Sequence, residues 1–169
     1  MTITVKIIYY ALTSVGRAFN EAIMTTANTP AFSDSDILAL LAQQYQLSGQ
    51  LKKLAGYCDQ NLLLTTHDKQ QFIVKIANSA ETKIELAMQN EAMAHLTKQE
   101  CSVPHALNNQ QGESISTISS INNSQQHDFY LRVLTYLPGN FYADANSLSH
   151  NKALWSDLGQ FMAKLNIAF

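Results

Sequence analysis

A lysine in the middle of an apolar run carries the most chemistry in this sequence. Lys75 stands in Phe72-Ile73-Val74-Lys75-Ile76, a run whose β-branched and aromatic residues predict a strand. Side chains alternate faces along a strand, so Lys75 shares its face with Ile73 and Ala77, which points it to the inner side of a sheet. A lysine placed there either snorkels to water or presents its ammonium to an anion. Sixteen positions later (91 − 75), Glu91 falls on a segment with helical spacing, where Ile84, Met88, Glu91, Ala92 and His95 form one stripe. A carboxylate on that stripe would fix the ammonium, and a lysine held in this way meets the α- and β-phosphates of a nucleotide. Glu81 and Glu85 lie on the same segment as rival carboxylates, and an ordinary solvated glutamate is the plain alternative for Glu91.

A loop able to cover a phosphate precedes the lysine. Leu51 to Leu54 reads as a short strand, Ala55 to Gln60 as a turn, and Asn61 to Thr66 as a second strand, with His67-Asp68-Lys69 at the next hairpin tip. Backbone N–H groups reach phosphate oxygens most easily where glycines leave room, and this turn has only Gly56. The residues of a type to act as base or metal ligand are poorly placed. His67-Asp68 has no asparagine following at the needed spacing, Asp128-Phe129-Tyr130 precedes the last strand, and His150 follows that strand too closely. The five histidines, at 67, 95, 105, 127 and 150, lack metal-ligand spacing. The expectation is therefore no catalytic residue and no metal ligand in this stretch of chain.

Helices and strands must hold these residues. Ser33, followed by Asp34 and Asp36, reads as an N-cap with an acidic first turn; Ile37, Leu40, Leu41 and Tyr45 then recur at helical spacing, and Gly49 is expected to end the element. Pro104 stops the long central helix soon after Cys101. Ser114 to Ser120 is a weak strand, since Ile115, Ile118 and Ile121 repeat every third residue and fit neither template. Phe129 to Leu137 reads as a buried strand closed by Pro138-Gly139. A last helix from about Asn151 gathers Leu154, Trp155, Leu158, Phe161, Met162 and Leu165 on one broad face, with Trp155 expected in a core. The order is helix, three strands, helix, two strands, helix, which is an α+β fold.

Composition narrows the partners. A chain of 169 residues suits one domain or part of a larger one, and 46% hydrophobic residues is ordinary for a protein with a core. A formal net charge of -2 and a pI near 6.2 argue against a dedicated nucleic-acid binder, which needs a basic face. No apolar run approaches the roughly 20 residues of a membrane span. Two distant cysteines, Cys58 and Cys101, fit a reducing compartment, which points to the cytoplasm. The apolar start from Ile3 to Phe19 is broken by Tyr9, Tyr10, Thr13 and Ser14, so Met1 to Ile23 reads as an extra helix or an over-extended start rather than a signal peptide.

Several runs, in order, resemble those of the aminoglycoside-phosphotransferase-like family. Leu54-Ala55-Gly56-Tyr57-Cys58-Asp59-Gln60-Asn61-Leu62-Leu63-Leu64 is similar to its "L-x-G-E-x-D-x-N-F/Y-L" hairpin, and Phe72 to Ile76 to its "Y-V-L-K-I" strand. Met88 to Leu96 resembles the "x-Q-N-x-A-L-x-H-L" helix of one branch, Arg132 to Gly139 its "R-L-L-x-Y-L-P-G" hinge, and Leu158 to Leu165 its "L-G-x-x-x-A-x-L" helix. That branch includes hydroxylysine kinases and bacterial relatives fused to a class III aminotransferase.

The resemblance implies a protein-kinase-like N-terminal lobe: five antiparallel strands with a helix crossing between the third and fourth. It divides the chain into an extension (1–31), the lobe (32–140), and a linker with the first helix of a second lobe (141–169). Lys75 would bind the phosphates of ATP, the backbone of Thr135, Tyr136 and Leu137 would meet adenine, and Asp59, Gln60 and Asn61 would shape the covering loop. Tyr57 and Cys58 depart from the family's usual pair in that loop.

The family's "H-G-D-x-x-x-x-N" loop and "D-x-D/G" metal motif would lie beyond Phe169, so Mg²⁺ belongs only to a complete enzyme and the chain alone is expected to be inactive. The acceptor implied is a hydroxylated amine or amino acid, and apolar surface left uncovered would favour self-association. The alternatives are a non-catalytic interaction module and a fragment of a multifunctional aminotransferase-bearing protein.

Overall fold

The computed structural model describes residues 29–56, 58–122, 125–139 and 152–169. The expected extra helix at the start, and most of the expected linker after the last strand, lie outside the described residues. Helix α1 (Asp34–Tyr45) opens as the sequence predicts: the Ser33 hydroxyl accepts the Asp36 N–H at 3.2 Å, and Asp34 and Asp36 sit at the positive end of the helix dipole. Its end differs from expectation. Gln46 takes a left-handed conformation (φ 56°) and closes the helix, whereas Gly49 begins the first strand. There a Cβ would overlap the Thr65 carbonyl of the neighbouring strand, so Gly49 serves a close backbone approach.

The strands are β1 (Gly49–Leu54), β2 (Gln60–Thr66), β3 (Gln71–Ile76), β4 (Ser116–Asn122) and β5 (Gln125–Thr135). They form one five-stranded sheet in the order β1-β2-β3-β5-β4, with every neighbouring pair antiparallel. This is the α+β class and the sheet expected from the sequence. Register decides the two faces. Leu62 pairs with Val74, Val74 with Val133, and Ile76 with Leu131, so these side chains share a face. With Leu64, Ile118 and Phe129 they form the main core, capped by Ile37 and Leu41 of α1. Burying each such side chain contributes about 1.5–3 kcal/mol.

The opposite face carries a smaller cluster of Ala77, Leu86 and Ile115, with Tyr130 packed against it. The three-residue isoleucine spacing finds its reason in this division. Ile115 and Ile118 are an odd number of residues apart, and they join the clusters on opposite sides of the sheet.

Helix α2 (Lys83–Lys98) follows β3. Thr82 and Glu85 form a capping box: the Thr82 hydroxyl accepts the Glu85 N–H at 3.2 Å, and the Glu85 carboxylate accepts the Thr82 N–H at 2.9 Å. The stripe read from the sequence faces the wrong way. Ile84 and Met88 are 75% and 67% exposed, and Glu91 and His95 are exposed as well, while Leu86, Met93 and Leu96 are buried.

Helix α3 (Lys152–Ala168) keeps Leu154, Leu158, Phe161 and Leu165 half-buried. Trp155, one step round from that stripe, is 54% exposed and not the core residue expected. The chain falls into two compact units: one includes the sheet, α1 and α2 as far as Asn90; the other includes residues 91–105 and α3.

Candidate functional site

Lys75 pairs with Asn61 on β2 and with Arg132 on β5, so one rung of the sheet carries three polar side chains on a single face. It is the face of Ala77 and of Leu86 from α2, the side to which strand alternation assigns Lys75. Lys75 is only 4% exposed and Arg132 only 2%. Two cations side by side and out of water are costly unless groups nearby hold them. One such group is Asp59, in the loop between β1 and β2. Its Oδ2 lies 3.5 Å from the Lys75 Nζ, with the two side chains 5% and 8% exposed. The other oxygen of Asp59 accepts the Asn78 N–H at 3.3 Å, which ties the loop to the end of β3.

Burial holds the Lys75 pKa below its ordinary value, since a desolvated ammonium is disfavoured. The Asp59 carboxylate works against that fall, the Arg132 guanidinium adds to it, and Glu81 works against it. A further anion beside the ammonium would favour its charged form.

The pairing expected with Glu91 gives way to the pairing with Asp59. Glu91 is exposed, because the helix turns a different stripe inward. That stripe includes the half-buried polar residues Gln89 and Asn90, which a reading based on apolar periodicity assigns to the outside. Arg132 draws them in. Its Nη1 donates to the Leu86 carbonyl at 3.3 Å and to Asn90 Oδ1 at 2.9 Å, and its Nη2 donates to Gln89 Oε1 at 2.9 Å. Of the rival carboxylates, Glu85 is exposed and belongs to the capping box, while Glu81 is near enough to act on the Lys75 charge.

The covering loop is compact. A Cβ on Gly56 would stand 2.5 Å from the Asp59 carbonyl oxygen and 2.7 Å from Asn61 Nδ2, so the loop closes over a position where only glycine fits. Asn61 Nδ2 donates to the Ala55 carbonyl at 3.4 Å, and its buried Oδ1 has no hydrogen-bond partner among the described residues. Gln60 points elsewhere. Its side chain grips the backbone of Phe32, accepting the N–H at 3.0 Å and donating to the carbonyl at 2.7 Å. That grip places the Phe32 ring edge-on to Phe129, with centroids 5.5 Å apart. Alternation explains the difference, since Gln60 and Asn61 are successive strand residues and must face opposite sides.

Thr135 ends β5 opposite Phe72, and Tyr136 and Leu137 continue as irregular chain, which is where the sequence places a hinge. The decoy acids have local duties: Asp68 accepts the Thr66 hydroxyl at the hairpin tip, and Asp128 accepts the Ser119 hydroxyl at 2.7 Å. Among the described residues no group of three or more His, Cys, Asp or Glu is placed to hold a metal ion.

The structure thus brings together Lys75, Asp59 and Asn61 and adds Arg132, which sequence reasoning quoted in a motif but gave no role. The available signal was parity: Arg132 alternates with Leu131 and Val133 in a buried strand. A buried lysine held by a carboxylate of the glycine-containing β1–β2 loop is of a chemistry to meet a polyanion such as the phosphates of a nucleotide.

The family model described as "Phosphotransferase enzyme family" matches residues 51–168, well over half of the chain. A hydroxylysine kinase from Mus musculus is 27% identical over 149 residues, covering 82% of this chain and 39% of the relative. Among solved structures, an amicoumacin kinase (hAmiN) in complex with AMP-PNP, Ca²⁺ and Ami is similar in fold, with a TM-score of 0.67 and 17% identity over 81% of this chain and 40% of that one. The chain therefore spans about two fifths of the length of these two proteins.

Proposed function

We propose that this chain, which belongs to the phosphotransferase enzyme family, is the ATP-binding part of a small-molecule kinase whose acceptor is a hydroxylated amine or amino acid. The observation that carries the reading is the buried Lys75 ammonium on the α2 side of the sheet, facing the β1–β2 loop through Asp59. The hydroxylysine kinase relative and the AMP-PNP bound by the amicoumacin kinase support it from outside. Bound ATP would supply the phosphoryl group. Lys75 would exchange Asp59 for phosphate oxygens, Asn61 and Gly56 would set the height of the loop above them, and Thr135, Tyr136 and Leu137 would offer backbone groups to adenine.

In this reading residues 32–140 act as the nucleotide-binding lobe and 141–169 lead into a further lobe. Acceptor binding, the catalytic base and the Mg²⁺ ligands belong to that further lobe, so the chain alone binds nucleotide weakly and does not turn it over. Calorimetric titration tests the proposal. AMP-PNP should bind the chain, bind Lys75→Met roughly tenfold more weakly, and adenosine should bind both equally. Equal AMP-PNP affinity for the two proteins would refute the role of Lys75, and ATP turnover by the purified chain would refute its dependence on a further lobe.

A further inference from the structure

A kinase-like lobe must hold its crossing helix against the sheet beside the phosphate-binding lysine, and a helix carboxylate paired with that lysine commonly does this. Glu91, the residue expected to do so here, is exposed. We infer that Arg132 takes over the task as a positioning residue, seating the first half of α2 on the sheet face that carries Lys75.

Three observations converge. Arg132 is 2% exposed, and register places it beside Lys75 on the neighbouring strand. It donates to three acceptors on two successive turns of the helix: the Leu86 carbonyl (3.3 Å), Gln89 Oε1 (2.9 Å) and Asn90 Oδ1 (2.9 Å). Asn90 is itself oriented, because its Nδ2 donates to Ser114 Oγ at 3.0 Å and its oxygen is left facing the guanidinium.

The chemistry suits the task. A planar guanidinium forks from two nitrogens to a carbonyl and two side-chain amides at once, a spread that the single nitrogen of a lysine does not reproduce. These three acceptors are neutral groups of the helix. The guanidinium charge acts on Lys75, where it opposes a second cation and favours an anion. The same side chain thus seats α2 and adds a second cation beside Lys75. The segment leading into the helix carries Glu81, which also acts on Lys75, so a loosened α2 would alter the surroundings of the ammonium.

The phosphate readout rests on the nucleotide-binding proposal; the helix readout does not. Two variants of the whole chain separate the causes. Gln89→Met/Asn90→Leu removes two acceptors on half-buried side chains and leaves Arg132 intact, and Arg132→Lys keeps the charge but loses the fork. Both should speed hydrogen exchange of the amides at 86–90 roughly tenfold, with the β3 and β5 amides unchanged. Both should also weaken AMP-PNP about tenfold and leave adenosine affinity unaltered.

Unchanged exchange at 86–90 would overturn the inference. So would a uniform rise across the sheet, which would make Arg132 a contributor to global stability alone, or an equal loss of AMP-PNP and adenosine binding. If the unsubstituted chain binds neither ligand, the nucleotide proposal fails, whereas a local rise in exchange in the variants still upholds the seating of α2 by Arg132.

Discussion

Replacing Asp59 by asparagine keeps the side chain's shape and an acceptor for the Asn78 N–H, but removes the negative charge 3.5 Å from Lys75. Stripping one member of a buried ion pair costs about 3–5 kcal/mol. The separation is long for a charge-assisted hydrogen bond and Glu81 also attracts the ammonium, so we expect the lower end, about 3 kcal/mol at neutral pH. The loss must depend on pH, because Asp59 helps only while Lys75 is charged. Burial places the folded-state pKa of Lys75 below its usual 10.5.

As pH rises, the folded protein gives up this proton before the unfolded chain does. Between the two values the unfolded state binds more protons, and stability rises with pH. In Asp59→Asn the upward pull of the carboxylate is gone, so the folded value falls further and the rise begins at lower pH. The variant therefore gains on the unsubstituted protein until Lys75 is neutral in both. Urea unfolding followed by circular dichroism at about pH 7 and about pH 10 should show a smaller difference at the higher pH. A difference that stays constant with pH, or one below about 1 kcal/mol at neutral pH, would refute the reasoning.

Glu91→Ala should change urea-unfolding stability by no more than about 0.5 kcal/mol, since the side chain is exposed, and AMP-PNP affinity should stay unchanged in the same protein. Gly56→Ala should destabilise by about 1–3 kcal/mol and disturb the β1–β2 loop, because the new methyl meets the Asp59 carbonyl; thermal unfolding with amide chemical shifts for 54–61 would show both effects. Thr82→Ala should cost about 1 kcal/mol by opening the capping box at α2, measurable by urea unfolding. The Glu85 pKa is lowered by the backbone and hydroxyl hydrogen bonds it accepts from Thr82, so that stabilisation is present above the unfolded-state value and lost as pH falls through the folded one. An acid titration of stability should therefore be shallower in Thr82→Ala.

What the sequence determined by itself is local. The sequence order of the strands follows from short apolar runs between turns, most clearly for β3 and β5, and the side of the sheet for Lys75 follows from its parity with Ala77, because the two-residue period of a strand is a property of the backbone. The same rule, applied strictly, would have separated Gln60 from Asn61 and paired Arg132 with the inner face. The Ser33 cap was equally legible, since a hydroxyl and the N–H three residues on need no distant partner.

What only tertiary structure decided is which groups meet. Arg132 comes beside Lys75 through strand pairing across 57 positions (132 − 75), and that register is invisible in either run alone. Once there, the guanidinium turns Gln89 and Asn90 inward, rotates the apolar stripe of α2 away from its expected phase and leaves Glu91 in water. The carboxylate for Lys75 then comes from the loop beneath which Gly56 leaves room. A helix places its faces by the sum of apolar burial and polar partners, and the polar partners lay on a strand more than forty residues away (132 − 90).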